Sequence, residues 1–256
     1  MIEIRDLKKS FKKFKVLDGL SLDVKKGETL VILGRSGMGK SVLLKHIIGI
    51  SKPDEGTIDI DGNRISDLSG PDLYKAVINM GMLFQGAALF DSMTVEQNTG
   101  FFLDQHGDMV NQRKFSDEEI RDRVSKALEM VGLAGTEQKM PSELSGGMRK
   151  RAALARLIVY RPSIILYDEP TTGLDPITSM QINELIVKTQ QELQATSIVV
   201  THDILSALHV ADRLALLDEG KIIHIAEPEA FMKIDNPIIE FLRKTITEGP
   251  RKMGRG

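Results

Sequence analysis

The sequence predicts an α/β fold with a helical block set into it, and three observations carry that prediction. Apolar runs at residues 29–33, 164–167 and 197–200 each stop at a glycine or a polar cluster, as strands buried on both faces of a parallel sheet do. A helical pattern follows the first run over residues 40–48, and another separates the second and third over about 176–193, the spacing of a βαβ unit. Between these strand-rich parts, residues from about 104 to 160 carry helix signals and no strand signal.

Taken in order, Ile2-Glu3-Ile4 and Leu20-Ser21-Leu22-Asp23-Val24 alternate and predict half-buried strands, with Lys26-Gly27 as a turn. Thr29-Leu30-Val31-Ile32-Leu33 is continuously apolar after its first residue and ends at Gly34. The helix that follows closes at Gly49. Residues 57–61 alternate again and turn at Asp61-Gly62. The stretch 104–123 is polar and charged, with one helix start at Ser116, whose partner Glu119 completes a capping box. Residues 124–131 continue that helix to Gly132. A second helix is expected from Ser145 through Arg156 to about Tyr160. Beyond the βαβ unit, 214–217 and 221–225 flank Asp218-Glu219-Gly220 as a hairpin. The final part, 228–256, holds one apolar helical stretch (Ile238, Ile239, Phe241, Leu242) and a basic end, Arg251-Lys252…Arg255, expected to be solvated.

Composition narrows the function. The 256 residues carry 34 Lys+Arg and 36 Asp+Glu, 41% are hydrophobic and 27% charged. These values exclude a disordered chain, a collagen-like one and a strongly basic nucleic-acid module. The absence of cysteine excludes disulfides and thiolate metal sites and suits a reducing compartment. The N-terminal stretch has no apolar h-region, so no secretory signal is expected, and no run approaches the ~18 apolar residues of a membrane span. His46, His106, His209 and His224 have no metal-ligand spacing, and the twelve methionines read as core and interface filler.

Gly34-Arg35-Ser36-Gly37-Met38-Gly39-Lys40-Ser41 fits the pattern G-x-x-x-x-G-K-[ST], directly after a buried strand and opening a helix. Its glycines let backbone amides turn inward onto phosphate oxygens, and the helix N-terminus adds positive potential. Lys40 is placed to neutralise β- and γ-phosphate charge and Ser41 to ligate Mg²⁺. A chain of this length shows the pattern by chance roughly once in a hundred, before its strand–loop–helix context is counted. Ile164-Ile165-Leu166-Tyr167-Asp168-Glu169 is an apolar strand ending in two acids. Asp168 suits a Mg²⁺ contact opposite Ser41, and Glu169 suits a base for an attacking water. Leu144-Ser145-Gly146-Gly147-Met148 caps a helix with Ser145 and leaves amides open at its positive end.

These three motifs in this order resemble the nucleotide-binding subunit of ABC transporters, and the likeness covers almost the whole chain. The resemblance implies a P-loop NTPase core with an antiparallel β subdomain and an inserted helical subdomain. The ABC ATPase domain would span 1–226, its helical subdomain about 88–160, and a C-terminal helical tail 227–256. ATP and Mg²⁺ are the implied cofactors, with the nucleotide held by residues 34–42, Val42 included. Residue by residue, Phe11 resembles the aromatic that stacks on adenine, with Phe14 a nearby competitor. Gln85 in Leu83-Phe84-Gln85-Gly86 resembles the Q-loop glutamine, implied to act in catalysis and on the metal. Gly173-Leu174-Asp175 resembles the D-loop, placing Asp175 at the nucleotide. His202 in Val200-Thr201-His202-Asp203 resembles the switch histidine on the γ-phosphate. Arg35 stands where Pro is frequent and Val42 where Thr is frequent; neither change removes a phosphate-binding group.

Residues 83–92, 144–156 and 236–242 look like the ATPases serving bacterial mammalian-cell-entry (MCE) proteins, including the phospholipid-trafficking Mla system, with Met148 where many ABC ATPases carry Gln or Glu. The resemblance implies a homodimer in which Ser145, Gly146 and Gly147 of one subunit serve the other's nucleotide. It also implies integral membrane permease subunits, an MCE-domain lipid-binding partner, and a peripheral place on the cytoplasmic face of the inner membrane. Two other readings stand beside it. One is an importer ATPase for another solute. The other is a soluble ABC ATPase of DNA repair or translation, which the single cassette, the lack of extended heptads and the charge balance disfavour.

Overall fold

A computed structural model describes residues 2–108 and 111–248. From the N-terminus the elements are β1 (Ile2–Phe11), β2 (Phe14–Val24), β3 (Thr29–Leu33), α1 (Lys40–Ile47), β4 (Glu55–Ile60), β5 (Asn63–Arg64) and α2 (Gly70–Val77). Then come β6 (Met80–Leu83), α3 (Val95–His106), α4 (Asp117–Met130), α5 (Gly146–Ile158), β7 (Ile164–Asp168) and α6 (Pro176–Leu193). The chain continues with β8 (Thr196–Thr201), α7 (Ile204–Val210), β9 (Arg213–Asp218), β10 (Lys221–Ala226), α8 (Pro228–Phe231) and α9 (Pro237–Glu248).

The main sheet has the order β10-β9-β3-β8-β7-β6. Its strands are parallel except β10, which forms a hairpin with β9. Every residue of β3, β7 and β8 is buried, which is why these strands read as unbroken apolar runs. Alternate residues feed two cores. Leu30 and Ile32 pack in one with α1 and the strands of the second sheet, while Val31 and Leu33 join the other with α5, α6 and α7. The second sheet is antiparallel, β2-β1-β4-β5. Its β1–β2 ribbon runs from Ile2↔Val24 to Phe11↔Phe14, well beyond the short alternating segments, because register shifts along β1 break the period-2 pattern that marks a strand in sequence.

Helices α3, α4 and α5 fall within residues 88–160. The Ser116–Glu119 capping box is formed in both directions, and Ser145 caps α5 through Met148 N. Residues 176–193 form α6 and the hairpin closes at Asp218-Glu219-Gly220, as the patterns predict. Three elements carry no usable sequence period. The inward side of α3 includes Asn98, Thr99 and Gly100, so no apolar stripe marks it. α2 buries no residue, and β6 is a four-residue strand containing Gly81. In the tail, Ile239 is fully buried against the core while Phe241 is 70% exposed. The basic end, Arg251 to Arg255, lies outside the described residues. Among those described, no helix is long and apolar enough to cross a membrane.

Candidate active site

The sheet brings the motif residues together because each motif follows the carboxyl end of a parallel strand, where ligands of α/β folds bind. Gly34 follows β3, Gln85 follows β6, Glu169 follows β7 and His202 follows β8. A cleft of about 430 Å³ opens there, lined by Phe11, Ser36, Gly37, Gly39, Lys40, Ser41, Val42, Gln85, Glu169 and His202, with Val16 and Thr172.

The phosphate loop ends at Gly39, whose φ of 92° and close contacts leave no room for a side chain: a Cβ would lie 2.8 Å from Val16 Cγ1. Gly39 brings no side-chain acceptor to the first-turn amides of α1, so they remain available to an anion. Lys40 is buried and donates to the carbonyls of Gly34 (2.7 Å) and Arg35 (3.1 Å), and its ammonium also lies 3.2 Å from Glu169 Oε1. Glu169 is buried with φ 47°, a left-handed backbone that turns the chain sharply off β7. Its Oε2 accepts from Thr172 Oγ1 at 3.0 Å and lies 2.8 Å from His202 Nδ1. The carboxylate is therefore fixed by three side chains: one from the start of α1, one from its own loop and one from the loop after β8.

Ser41 Oγ donates to Asp168 Oδ1 at 2.7 Å. Burial lifts the Asp168 carboxyl above its ordinary value, against the lowering by the Ser41 hydrogen bond. A half-buried hydroxyl and a buried carboxylate that face each other, with the Gln85 carboxamide in the same cleft, are the hard oxygen donors that suit Mg²⁺. The residues present fit that ion.

Phe11 stands half exposed at the end of β1 and lines the cleft, whereas Phe14, 79% exposed, does not. Met38 packs against the core at the loop's base. Gly34 and Arg35 also border a neighbouring, mainly apolar cavity of about 460 Å³, which shares His202 and extends to Phe241 and Leu242 of α9. Ser145, Gly146 and Gly147 do not line the cleft of their own chain; they form the start of α5. Asp175 is also elsewhere. Its carboxylate caps α6 by accepting from Ile177 N, Thr178 N and Thr178 Oγ1, and that hydroxyl helps hold it below its ordinary value. Sequence reasoning missed Thr172 and Val16. Thr172 was findable, since Glu169 to Thr172 closes a four-residue turn that returns its hydroxyl to the acid.

A phosphate-binding loop, a buried strand-end acid pair and a histidine thus share one cleft, with a serine-capped glycine helix start apart from it. Residues 17–172 match the family model described as "ABC transporter". The chain belongs to the ABC transporter family. It is an ATP-hydrolysing cassette of that family. It is 42% identical over 238 residues to the "Probable ribonucleotide transport ATP-binding protein mkl" of Mycobacterium leprae, covering 93% of this chain and 67% of that protein. The chain spans about two thirds of the length of the mycobacterial relatives it matches. It is 41% identical over 253 residues to the "Intermembrane phospholipid transport system ATP-binding protein MlaF" of Haemophilus influenzae, covering 98% of this chain and 92% of that protein. It is also 37% identical over 253 residues to the "Methionine import ATP-binding protein MetN" of Carboxydothermus hydrogenoformans, covering 97% and 73%. Among solved structures, the dimeric, post-hydrolysis form of the ATP-binding cassette MJ0796 bound to ADP and Pi superposes with a TM-score of 0.79 at 32% identity, over 89% of this chain and 99% of that one. Cassettes of this family dimerise and work with membrane permeases.

Proposed function

We propose that this chain is the nucleotide-binding subunit of a bacterial ABC transporter that moves phospholipid or another lipid across the envelope. One observation carries the lipid reading: the likeness to the H. influenzae phospholipid-transport ATPase runs over nearly the whole length of both proteins. The working unit is a homodimer, docked on integral membrane permease subunits at the cytoplasmic face of the inner membrane and paired with an MCE-domain lipid-binding protein. No nucleic acid takes part.

The chemistry proposed for the cleft follows from its contacts. Phe11 offers a flat face to adenine, and the amides of residues 36–41 and the Lys40 ammonium receive the phosphates. A γ-phosphate competes with Glu169 Oε1 for Lys40, and that competition frees the carboxylate oxygen to accept a proton. Water oxygen then forms the new bond to phosphorus, the bond to the ADP oxygen breaks, and Glu169 takes the water's proton. His202 and Thr172 hold the other oxygen throughout. Ser41, Asp168 and Gln85 are proposed to hold Mg²⁺, which when bound supplies charge neutralisation at the phosphate oxygens. Ser145, Gly146, Gly147 and Asp175 are assigned to the partner's nucleotide across the dimer.

Affinity purification from native membranes, followed by lipid analysis of the complex, tests the proposal. A permease with an MCE-type protein and enriched phospholipid supports it. A permease paired with a soluble amino-acid- or metal-binding protein, with no enriched lipid, overturns it in favour of the importer reading that the methionine-import relative supports.

A further inference from the structure

Lys150, five residues into α5, is buried, yet its ammonium finds no carboxylate partner for a direct ion pair among the described residues. It donates to Gln85 O at 2.5 Å and reaches Glu169 O at 3.4 Å. Those two carbonyls occupy equivalent places. Leu83 pairs with Tyr167 at the ends of β6 and β7, and Gln85 and Glu169 each lie two residues further on. One cation from the glycine-started helix thus spans the ends of two adjacent strands. Both loops are also held in uncommon backbone geometry, with φ 47° at Glu169, 64° at Ala87 and 52° at Ala88. Arg156, on the same helix, donates to Ala88 O at 2.8 Å and Ala87 O at 3.3 Å. Such left-handed residues persist only where their surroundings fix them, and here α5 supplies the fixing charges.

Resting on the ATPase reading of this cleft, we propose that Lys150 is a positioning residue for hydrolysis, tying α5 to the backbones of Gln85 and Glu169. Ser145 caps the same helix, so whatever seats the start of α5 is felt at the carbonyl of the base. Among the described residues Lys150 makes no hydrogen bond or ion pair with a cleft side chain, although its charge acts through space on the Asp168 and Glu169 carboxylates. Its direct bonds are to main chain.

Steady-state ATPase assays on the purified full chain test this with four variants. Lys150→Met should lower kcat by roughly 10-fold or more, while the affinity for a fluorescent ATP analogue stays within about twofold. Lys150→Arg should recover most of the loss, because a guanidinium can reach both carbonyls. Glu169→Gln alone should remove most hydrolysis, and adding Lys150→Met to it should lower the residual rate no further. An unchanged kcat in Lys150→Met overturns the inference. So does a loss that Lys150→Arg does not repair, or a double variant well below Glu169→Gln. If Lys150→Met is poorly folded, the Lys150→Arg rate and the double-variant comparison made with Lys150→Gln decide. Wild-type turnover in Glu169→Gln would instead overturn the reading of the cleft itself.

Discussion

Gly147 permits the first turn of α5 to lie against the first turn of α6, and a single methyl group should reveal how tightly. A Cβ added at Gly147 would fall 2.5 Å from Thr178 Cγ2, about 1 Å inside ordinary contact. Thr178 cannot rotate away cheaply. It is β-branched, and its Oγ1 donates to Asp175 Oδ2 at 2.5 Å while its backbone amide donates to Asp175 Oδ1 at 3.0 Å. Overpacking costs about 1–3 kcal/mol, and a contact this short against a pinned side chain belongs at about 2–3 kcal/mol; replacing a helical glycine with alanine returns about 1 kcal/mol. Gly147→Ala should therefore destabilise by about 1–2 kcal/mol, a fall in Tm of about 2–8 °C for a chain of this size. Thr178→Ser removes the offending methyl and keeps the hydroxyl bond to Asp175. In that background the same Gly147→Ala change should be neutral or raise Tm by up to about 4 °C. Thermal unfolding followed by circular dichroism, without nucleotide, reads all four forms. An equal fall in Tm in both backgrounds would refute the steric reasoning, as would no fall in the wild-type background.

Three further outcomes are expected. Glu169→Gln should keep ATP binding and lose roughly 10²-fold or more of hydrolysis, measured by phosphate release; wild-type turnover would remove Glu169 from the role of base. Heterodimers of Lys40→Ala with Ser145→Arg subunits should regain activity over either homodimer, because one composite site is intact. Full activity in a strictly monomeric preparation, checked by light scattering, would end the shared-site reading. The Arg113 guanidinium and the Ser116 amide hold the Glu119 carboxyl at about 2 against an ordinary 4.5. Its contribution to stability is thus fully present above the ordinary value and lost as pH falls through about 2. The Tm difference between wild type and Glu119→Gln should stay constant above pH 4.5 and close towards pH 2; a gap that does not change across that range would contradict the pairing.

How much of the fold was legible depended on how each element meets the core. β3, β7 and β8 are buried on both faces, so their apolar runs were unmistakable, and the helical pattern over about 176–193 between two of those runs marked α6. α3 was hidden because Asn98, Thr99 and Gly100 interrupt its inward face between Val95 and Leu103. Asn98 is fully buried there and spends its side chain on local backbone, donating to the carbonyls of Phe90, Met93 and Thr94 and accepting from Phe90 N. Its one readable sign was Thr94-x-x-Gln97, which forms a complete capping box. β6 was hidden by Gly81, a poor strand former. Tyr160 OH and Leu157 lie so near that a Cβ there would fall 2.9 Å from the hydroxyl, so the choice of residue reflects packing against α5 rather than strand propensity.

The cleft divides along a different line. Lys40, Ser41, Asp168, Glu169 and His202 were legible because the roles proposed for them, toward phosphate, metal or proton, constrain residue type and spacing together. Lys150 and Arg156 were not, because they bind backbone carbonyls of residues 85 to 88 and 169. Every residue offers such a carbonyl, so no pattern of partner types marks these contacts. Only the parallel register of β6 and β7 brings the carbonyls of residues 85 and 169 within reach of one ammonium. A positioning contact of this kind is a property of strand pairing and helix placement together. It follows that substitutions which shift β6 against β7, such as Gly81→Ala beside Tyr160, should reach hydrolysis through Lys150 without altering any residue of the cleft.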